Sequence, residues 1–145
     1  MMELRYMPAS AEDVDAIYKM SKELIDRYED TSSIDYEKVL AWVKRKINGS
    51  ICEYTRVCRG ENTVAYFRLS AEGDSAELDD FYVLPEYRGI GIGTKILNEC
   101  VVSTRKSVFL YVFNDNSGAI SLYEKFGFVK REAVSPTRSI MVRNG

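Results

Sequence analysis

Residues 83–94 constrain the fold of this chain more than any other stretch. Arg88, Gly89, Ile90, Gly91, Ile92, Gly93 and Thr94 follow the apolar, strand-like run that ends at Val83 and Leu84, with Pro85, Glu86 and Tyr87 between. An apolar, helix-like run comes next. Glycines at alternate positions let a backbone turn sharply and approach a ligand closely, because no Cβ intervenes. A helix that starts there offers unpaired N–H groups and the positive end of its dipole. A strand-to-helix turn alone needs one glycine, whereas three with an arginine make an anion cradle suited to phosphate or pyrophosphate.

The order of glycines fits neither of the two commonest phosphate loops well. A Walker loop needs Lys-Ser or Lys-Thr after its last glycine, and Gly93 is followed by Thr94 and Lys95. The dinucleotide fingerprint needs a glycine three positions after Gly91, where Thr94 stands.

The chain has 145 residues, 46% hydrophobic and 29% charged, which fits one domain, 1–145, with a real core. A net charge of −2 gives no reason to expect a nucleic-acid or membrane surface. No apolar run reaches the roughly 20 residues of a spanning helix. Met1, Met2, Glu3, Leu4 and Arg5 lack the apolar stretch of a signal peptide, so a cytoplasmic location is the default expectation. The three cysteines, Cys52, Cys58 and Cys100, form no CxxC pair and suggest neither disulfides nor zinc. Histidine is absent, which removes Ser–His–Asp and Cys–His chemistry and most histidine-based metal sites. No metal is expected, and acid–base work falls to carboxylates, tyrosine, cysteine, lysine or water.

Periodicity predicts a strand over 3–7, an amphipathic helix over 11–29 opened by a capping-box-like Ser10 and Asp13, and a second helix over 36–47. Three strands follow as a meander, over 51–59, 63–69 and 76–83. A helix over 91–103, a dense apolar and central strand over 108–112, a short helix over 119–126 and a final antiparallel pair over 128–134 and 138–142 complete the chain. The order is β-α-α-β-β-β-α-β-α-β-β: an α/β (α+β mixed) fold with a mixed, mostly antiparallel sheet flanked by helices.

The segment from Arg88 to Gly93 matches the Arg/Gln-x-x-Gly-x-Gly/Ala signature of the GNAT superfamily of acyl-CoA-dependent N-acetyltransferases. Phe81, Tyr82, Val83, Leu84, Pro85, Glu86 and Tyr87 resemble the strand and turn that precede it there. Asn116, Ala119 and Tyr123 resemble the family's second motif, and Gly127 and Phe128 its usual ending. The element order is similar as well, so the resemblance covers nearly the whole chain.

This resemblance implies acetyl-CoA as co-substrate. Main-chain N–H groups of Arg88, Gly89, Ile90, Gly91, Ile92, Gly93 and Thr94 would hold its pyrophosphate. Those near Phe81, Tyr82 and Val83 would polarise the acetyl carbonyl and hold the oxyanion. The ligand would lie where strands 76–83 and 108–112 splay apart. Asn116 would cap its helix and touch the pantetheine arm. Tyr123 reads as core from periodicity alone, alongside Ala119, Ile120 and Phe126. By resemblance it protonates the leaving thiolate, and a tyrosine suits this because it stays protonated at neutral pH.

Glu77, Asp79 and Asp80 lie on the strand that enters the loop. Alternation puts Glu77 and Asp79 on one face and Asp80 on the other, unless a bulge intervenes. They read either as a solvated face or as acids that attract an ammonium and accept its proton, directly or through water. The run from Leu78 to Val83 is similar to that of the diamine/polyamine acetyltransferases, which carry two adjacent acids there. Tyr28, Tyr36 and Trp42 read as packing, and the cysteines as small core residues.

The expected function is transfer of an acetyl group to a primary amine of a cationic small molecule, by direct attack in a ternary complex. Holding both reactants together supplies roughly 7–11 kcal/mol of barrier reduction. A protein N-terminal amine is an alternative acceptor. A non-catalytic acyl-CoA-binding regulatory module and a protein-interaction domain that has lost CoA binding are the competing classes. Dimers are common among similar proteins, which leaves a homodimer open as a further partner.

Overall fold

A computed structural model describes residues 3–145. Met1 and Met2, the first two positions of the N-terminal reading, lie outside the described residues. The strands are β1 (Arg5–Pro8), β2 (Tyr54–Arg59), β3 (Asn62–Glu72), β4 (Ser75–Val83), β5 (Ser107–Phe113), β6 (Val129–Ala133) and β7 (Arg138–Arg143). The helices are α1 (Val14–Tyr28), α2 (Tyr36–Gly49), α3 (Ile92–Ile96) and α4 (Ser117–Lys125). Hydrogen-bonded strands follow the order β1-β2-β3-β4-β5-β7-β6. Among the registers described, only β4 with β5 is parallel, so the sheet is mixed and mostly antiparallel. No helix among the described residues is long and apolar enough to cross a membrane.

The chain forms two compact units. The first comprises the residues up to Arg68 together with Asp80–Tyr82. In it, β1, β2 and the first part of β3 pair antiparallel, with Tyr6 opposite Val57 and Thr55 opposite Phe67. The Asp13 carboxylate anchors the entry to α1, accepting the Ser10 N–H at 2.8 Å and the Tyr66 hydroxyl at 2.6 Å. Asp35 starts α2 by accepting the Lys38 N–H at 3.3 Å. Helical spacing buries Val14, Ile17 and Ile25 of α1 and Leu40, Val43 and Ile47 of α2. Tyr54, Val57, Val64 and Ala65 join them in the core.

The second unit comprises Leu69–Asp79 and Val83–Gly145. Here β5 is flanked by β4 (Ala76 opposite Val108) and by β7 (Leu110 opposite Met141), and β6 pairs with β7. Val108, Leu110, Val112, Leu97, Val101, Phe128 and Met141 form its core.

Some boundaries differ from the sequence expectation for local physical reasons. Residues 51–53 are not strand: the chain is still turning as it leaves α2, with the Glu53 N–H on the Ser50 carbonyl at 2.8 Å, and β2 begins only at Tyr54. The strand β3 runs on to Glu72, because Gly73 at φ 58° makes the following turn tight. The helix expected over 91–103 is α-helical only to Ile96, then widens into a π-helical turn, Leu97–Val101, whose exit bond runs from the Val102 N–H to the Leu97 carbonyl at 3.0 Å. Leu97 and Val101 are both fully buried there. β5 is central but not buried on both faces, since Val108, Leu110 and Val112 are inside while Tyr111 is 45% exposed.

Candidate functional site

The glycine loop is built by backbone conformation. Gly89 and Gly91 have φ of 80° and 88°, the left-handed region that disfavours any side chain. A Cβ built on either meets no heavy atom within 4 Å. The space above them is therefore open, and conformation rather than crowding demands glycine. Gly91 is the cap residue of α3, and the first helical bond runs from the Lys95 N–H to the Gly91 carbonyl at 3.0 Å. The N–H groups of Gly91, Ile92, Gly93 and Thr94 precede that ladder and face away from it. Ile92 is buried and pins the loop, whereas Ile90 is 49% exposed. Arg88 folds back, donating Nε–H to the Val83 carbonyl at 2.9 Å and closing the turn that Pro85–Tyr87 begins.

In the same unit, Asn116 accepts the Ala119 N–H at 3.3 Å and caps α4, leaving its amide nitrogen as a donor. Tyr123 is buried on α4, its ring 5.6 Å from that of Phe128. Burial pushes the Tyr123 hydroxyl above the ordinary tyrosine range, and the Asp79 carboxylate adds to the push. Asp79 and Tyr123, 44 positions apart in sequence, thus act on one another electrostatically. Glu77 is half-buried and stands opposite Phe109 at the last described β4–β5 pair.

Asp80 belongs to the first unit and differs from its neighbour. It alone among described non-glycine residues has a positive φ, 48°. Alternation survives this kink: Ala76, Leu78 and Tyr82 are buried, and the Asp80 side chain is only 7% exposed. Its carboxylate accepts the Tyr54 hydroxyl at 2.5 Å and the Tyr82 hydroxyl at 3.0 Å, and pairs with the Lys46 ammonium at 3.2 Å. Sequence reasoning missed Tyr54 and Lys46. The available signal was helical: Lys46 follows Val43 by three positions and borders the buried stripe of α2. Phe81 and Val83 are half-buried.

Of the aromatics read as packing, Trp42 is 56% exposed, with the Lys46 ammonium 5.8 Å from its ring centroid. Tyr36 donates its hydroxyl to Asp26 at 2.5 Å, and Tyr28 lies half-buried under the Arg27 guanidinium. Cys58 is buried, Cys100 is half-buried, and Cys52 is exposed. Among the described residues no cluster of histidine, cysteine, aspartate or glutamate is arranged to hold a metal ion.

Known proteins resemble this chain. The chain is 38% identical over 63 residues to an N-acetyltransferase of Methanocaldococcus jannaschii, covering 41% of this chain and 28% of that protein. It is 42% identical over 67 residues to the thialysine N-epsilon-acetyltransferase of Mus musculus, covering 43% of this chain and 39% of that protein. The matched part is thus well under half the length of these curated relatives. The PaiA N-acetyltransferase of Thermoplasma acidophilum, solved in complex with coenzyme A, superposes with a TM-score of 0.73 at 23% identity, over 99% of this chain and 100% of that one. This last likeness establishes the fold. The profile of the Acetyltransferase (GNAT) family matches residues 13–128, which takes in α1, the glycine loop and Tyr123, and the chain belongs to that family of acetyltransferases.

Proposed function

We propose that this chain is a single N-acetyltransferase domain that moves an acetyl group from acetyl-CoA to a primary amine, the acceptor being a cationic small molecule. The observation that carries this reading is the open, left-handed backbone at Gly89 and Gly91 leading into the unpaired amides of α3. A diphosphate fits such a cradle, because several N–H donors meet its charge where no side chain obstructs it. Acetyl-CoA, when bound, supplies an activated acetyl thioester.

The residues divide the remaining work. Amides of Arg88, Gly89, Ile90, Gly91, Ile92, Gly93 and Thr94 grip the diphosphate, and the Asn116 amide nitrogen contacts the pantetheine arm. Main-chain N–H groups at Phe81, Tyr82 and Val83 meet negative charge developing on the acetyl oxygen. Asp79 and Glu77 attract the ammonium and take its proton, directly or through water, so that the neutral amine attacks. Tyr123 gives a proton to the departing sulfur; its raised pKa keeps that proton in place at neutral pH. The named amine acceptor of the thialysine-acetylating relative supports this substrate class.

Calorimetric titration with CoA, followed by thiol release from acetyl-CoA across an amine panel, tests the reading. Saturable binding and amine-dependent thiol release are expected. Absence of binding at millimolar CoA overturns it. Binding without thiol release from any amine makes the chain a non-catalytic acyl-CoA module, and release only with a peptide N-terminus makes it a protein acetyltransferase.

A further inference from the structure

The turn that carries β5 into α4 is tied across the sheet by a buried hydroxyl. Ser139 of β7 stands opposite Val112 and is 1% exposed, on the strand face that also buries Leu110 and Met141. A hydroxyl buried there needs a partner. It donates to Asn114 Oδ1 at 2.5 Å, while the Asn114 amide nitrogen faces the Pro136 carbonyl at 3.5 Å. The Asn114 main chain is held at the approach to the same strand, its N–H donating to the Thr137 carbonyl at 2.8 Å. That approach is itself braced, since the Ser135 hydroxyl oxygen accepts the N–H groups of Thr137 at 3.3 Å and Arg138 at 3.0 Å.

From Asn114 the restraint passes into the helix. The Asn116 N–H closes the turn on the Phe113 carbonyl at 3.0 Å, and the Asn116 carbonyl accepts the Ile120 N–H at 3.1 Å. Tyr123 follows about two turns later on the same helix. At the far end the Phe128 N–H donates to the Tyr123 carbonyl at 3.2 Å. The far end thus fixes the main chain of Tyr123, and the near end fixes the tilt of the helix from which its side chain projects. Main-chain bonds give the turn its shape, and the Ser139–Asn114 bond fastens it to β7 at a second point, inside the core. All these residues belong to the second unit. We infer that Ser139, acting through Asn114, is a positioning residue for the acetyl transfer: it sets the tilt of α4, and with it the point from which Tyr123 gives its proton to the departing sulfur. No bond is made or broken at Ser139 or Asn114. This rests on the reading above, with Tyr123 as the proton donor.

The test measures kcat, the KM of acetyl-CoA and calorimetric CoA affinity in Ser139→Ala, Asn114→Ala and Tyr123→Phe, and in the doubles that join each of the first two to Tyr123→Phe. Ser139→Ala is expected to lower kcat about tenfold, short of the roughly hundredfold that a misplacement of about 1 Å can cost. CoA affinity and the KM of acetyl-CoA should stay nearly unchanged. Asn114→Ala cuts the same bond from its half-buried side and should match this loss. In the Tyr123→Phe background neither substitution should lower kcat further, because the proton whose delivery they guide is gone. A merely structural role would instead multiply with Tyr123→Phe and weaken CoA binding as well. Either result overturns the inference, as does an unchanged kcat in the single variants. Thermal melts show which variants fold, and if Ser139→Ala does not, Asn114→Ala decides alone. The two readings fail separately. Wild-type protein that binds CoA but releases no thiol with any amine, or an unchanged kcat in Tyr123→Phe, removes the proton donor and this inference with it. Turnover that depends on Tyr123 but not on Ser139 and Asn114 overturns this inference alone.

Discussion

The glycine loop and the Asp80 kink pose the same backbone problem and solve it in opposite ways. Both hold residues at positive φ, Gly89 and Gly91 in one case and Asp80 in the other. In the loop the cost is removed by removing the Cβ, and the space above stays open. At Asp80 the Cβ remains, and three donors hold the carboxylate in a nearly closed pocket of side chains. A backbone that must receive a ligand needs absent side chains. A backbone that must only hold its shape tolerates a side chain, provided that side chain is fully bonded.

The sharpest break of this comparison is a side chain in the loop. Gly91→Val adds a β-branched Cβ at φ 88° and fills the open space, with left-handed strain of roughly 1–2 kcal/mol. CoA affinity by calorimetry should fall by about a hundredfold or more, because several donors are displaced together, while the melting temperature drops only a few degrees. Retained affinity would mean that the loop does not hold the diphosphate.

Next is Tyr123→Phe. Turnover is expected to fall by about 10²-fold, the usual worth of a positioned proton donor, with CoA affinity nearly unchanged. Wild-type rate should show no alkaline decline from this group below about pH 10, since its folded pKa lies above the ordinary value of 10.0. A pH–rate profile of both proteins checks this.

Asp80→Asn tests the closed side of the comparison. It leaves the Lys46 ammonium facing a neutral amide, and the partly exposed lysine lets solvent recover some of the loss. A destabilisation of about 1–3 kcal/mol is expected by urea titration. Asp79→Asn should raise the KM of the amine, which steady-state kinetics with a fixed acetyl-CoA concentration would check.

Alkaline pH probes both units at once. Burial raises the hydroxyls of Tyr66 and Tyr123 above 10.0, and a carboxylate partner, Asp13 or Asp79, adds to each shift. Above about pH 10 the unfolded chain releases these protons while the folded chain keeps them, so stability falls as pH rises, by up to about 1.4 kcal/mol per pH unit for each group. Below that pH neither contributes a slope. Urea midpoints for Tyr66→Phe and Tyr123→Phe should therefore decline less steeply in alkali than wild type. Asn116→Ala should cost about 0.5–2 kcal/mol from a lost helix cap, read by urea titration.

Much of this was legible in residue order. Apolar spacing gave α1 and α2 their buried faces, and Ser10, Asp13 and Asn116 announced helix starts that the hydrogen bonds bear out. The Arg88 and glycine pattern announced a sharp strand-to-helix turn, which the structure builds with left-handed backbone at Gly89 and Gly91. The π-helical widening after Ile96 was not legible, because it depends on where Leu97 and Val101 must reach core partners. Nor was the exposure of Trp42, since periodicity does not report whether a large aromatic finds a neighbour.

The sequence alone determined the class of fold and the open glycine-rich turn, because periodicity and missing Cβ atoms are local properties that neighbours in the chain enforce. Only tertiary structure decided how Asp80 of β4 is held. Asp80 is held by Lys46 and Tyr54, groups distant along the chain whose contacts no local pattern in the sequence announces.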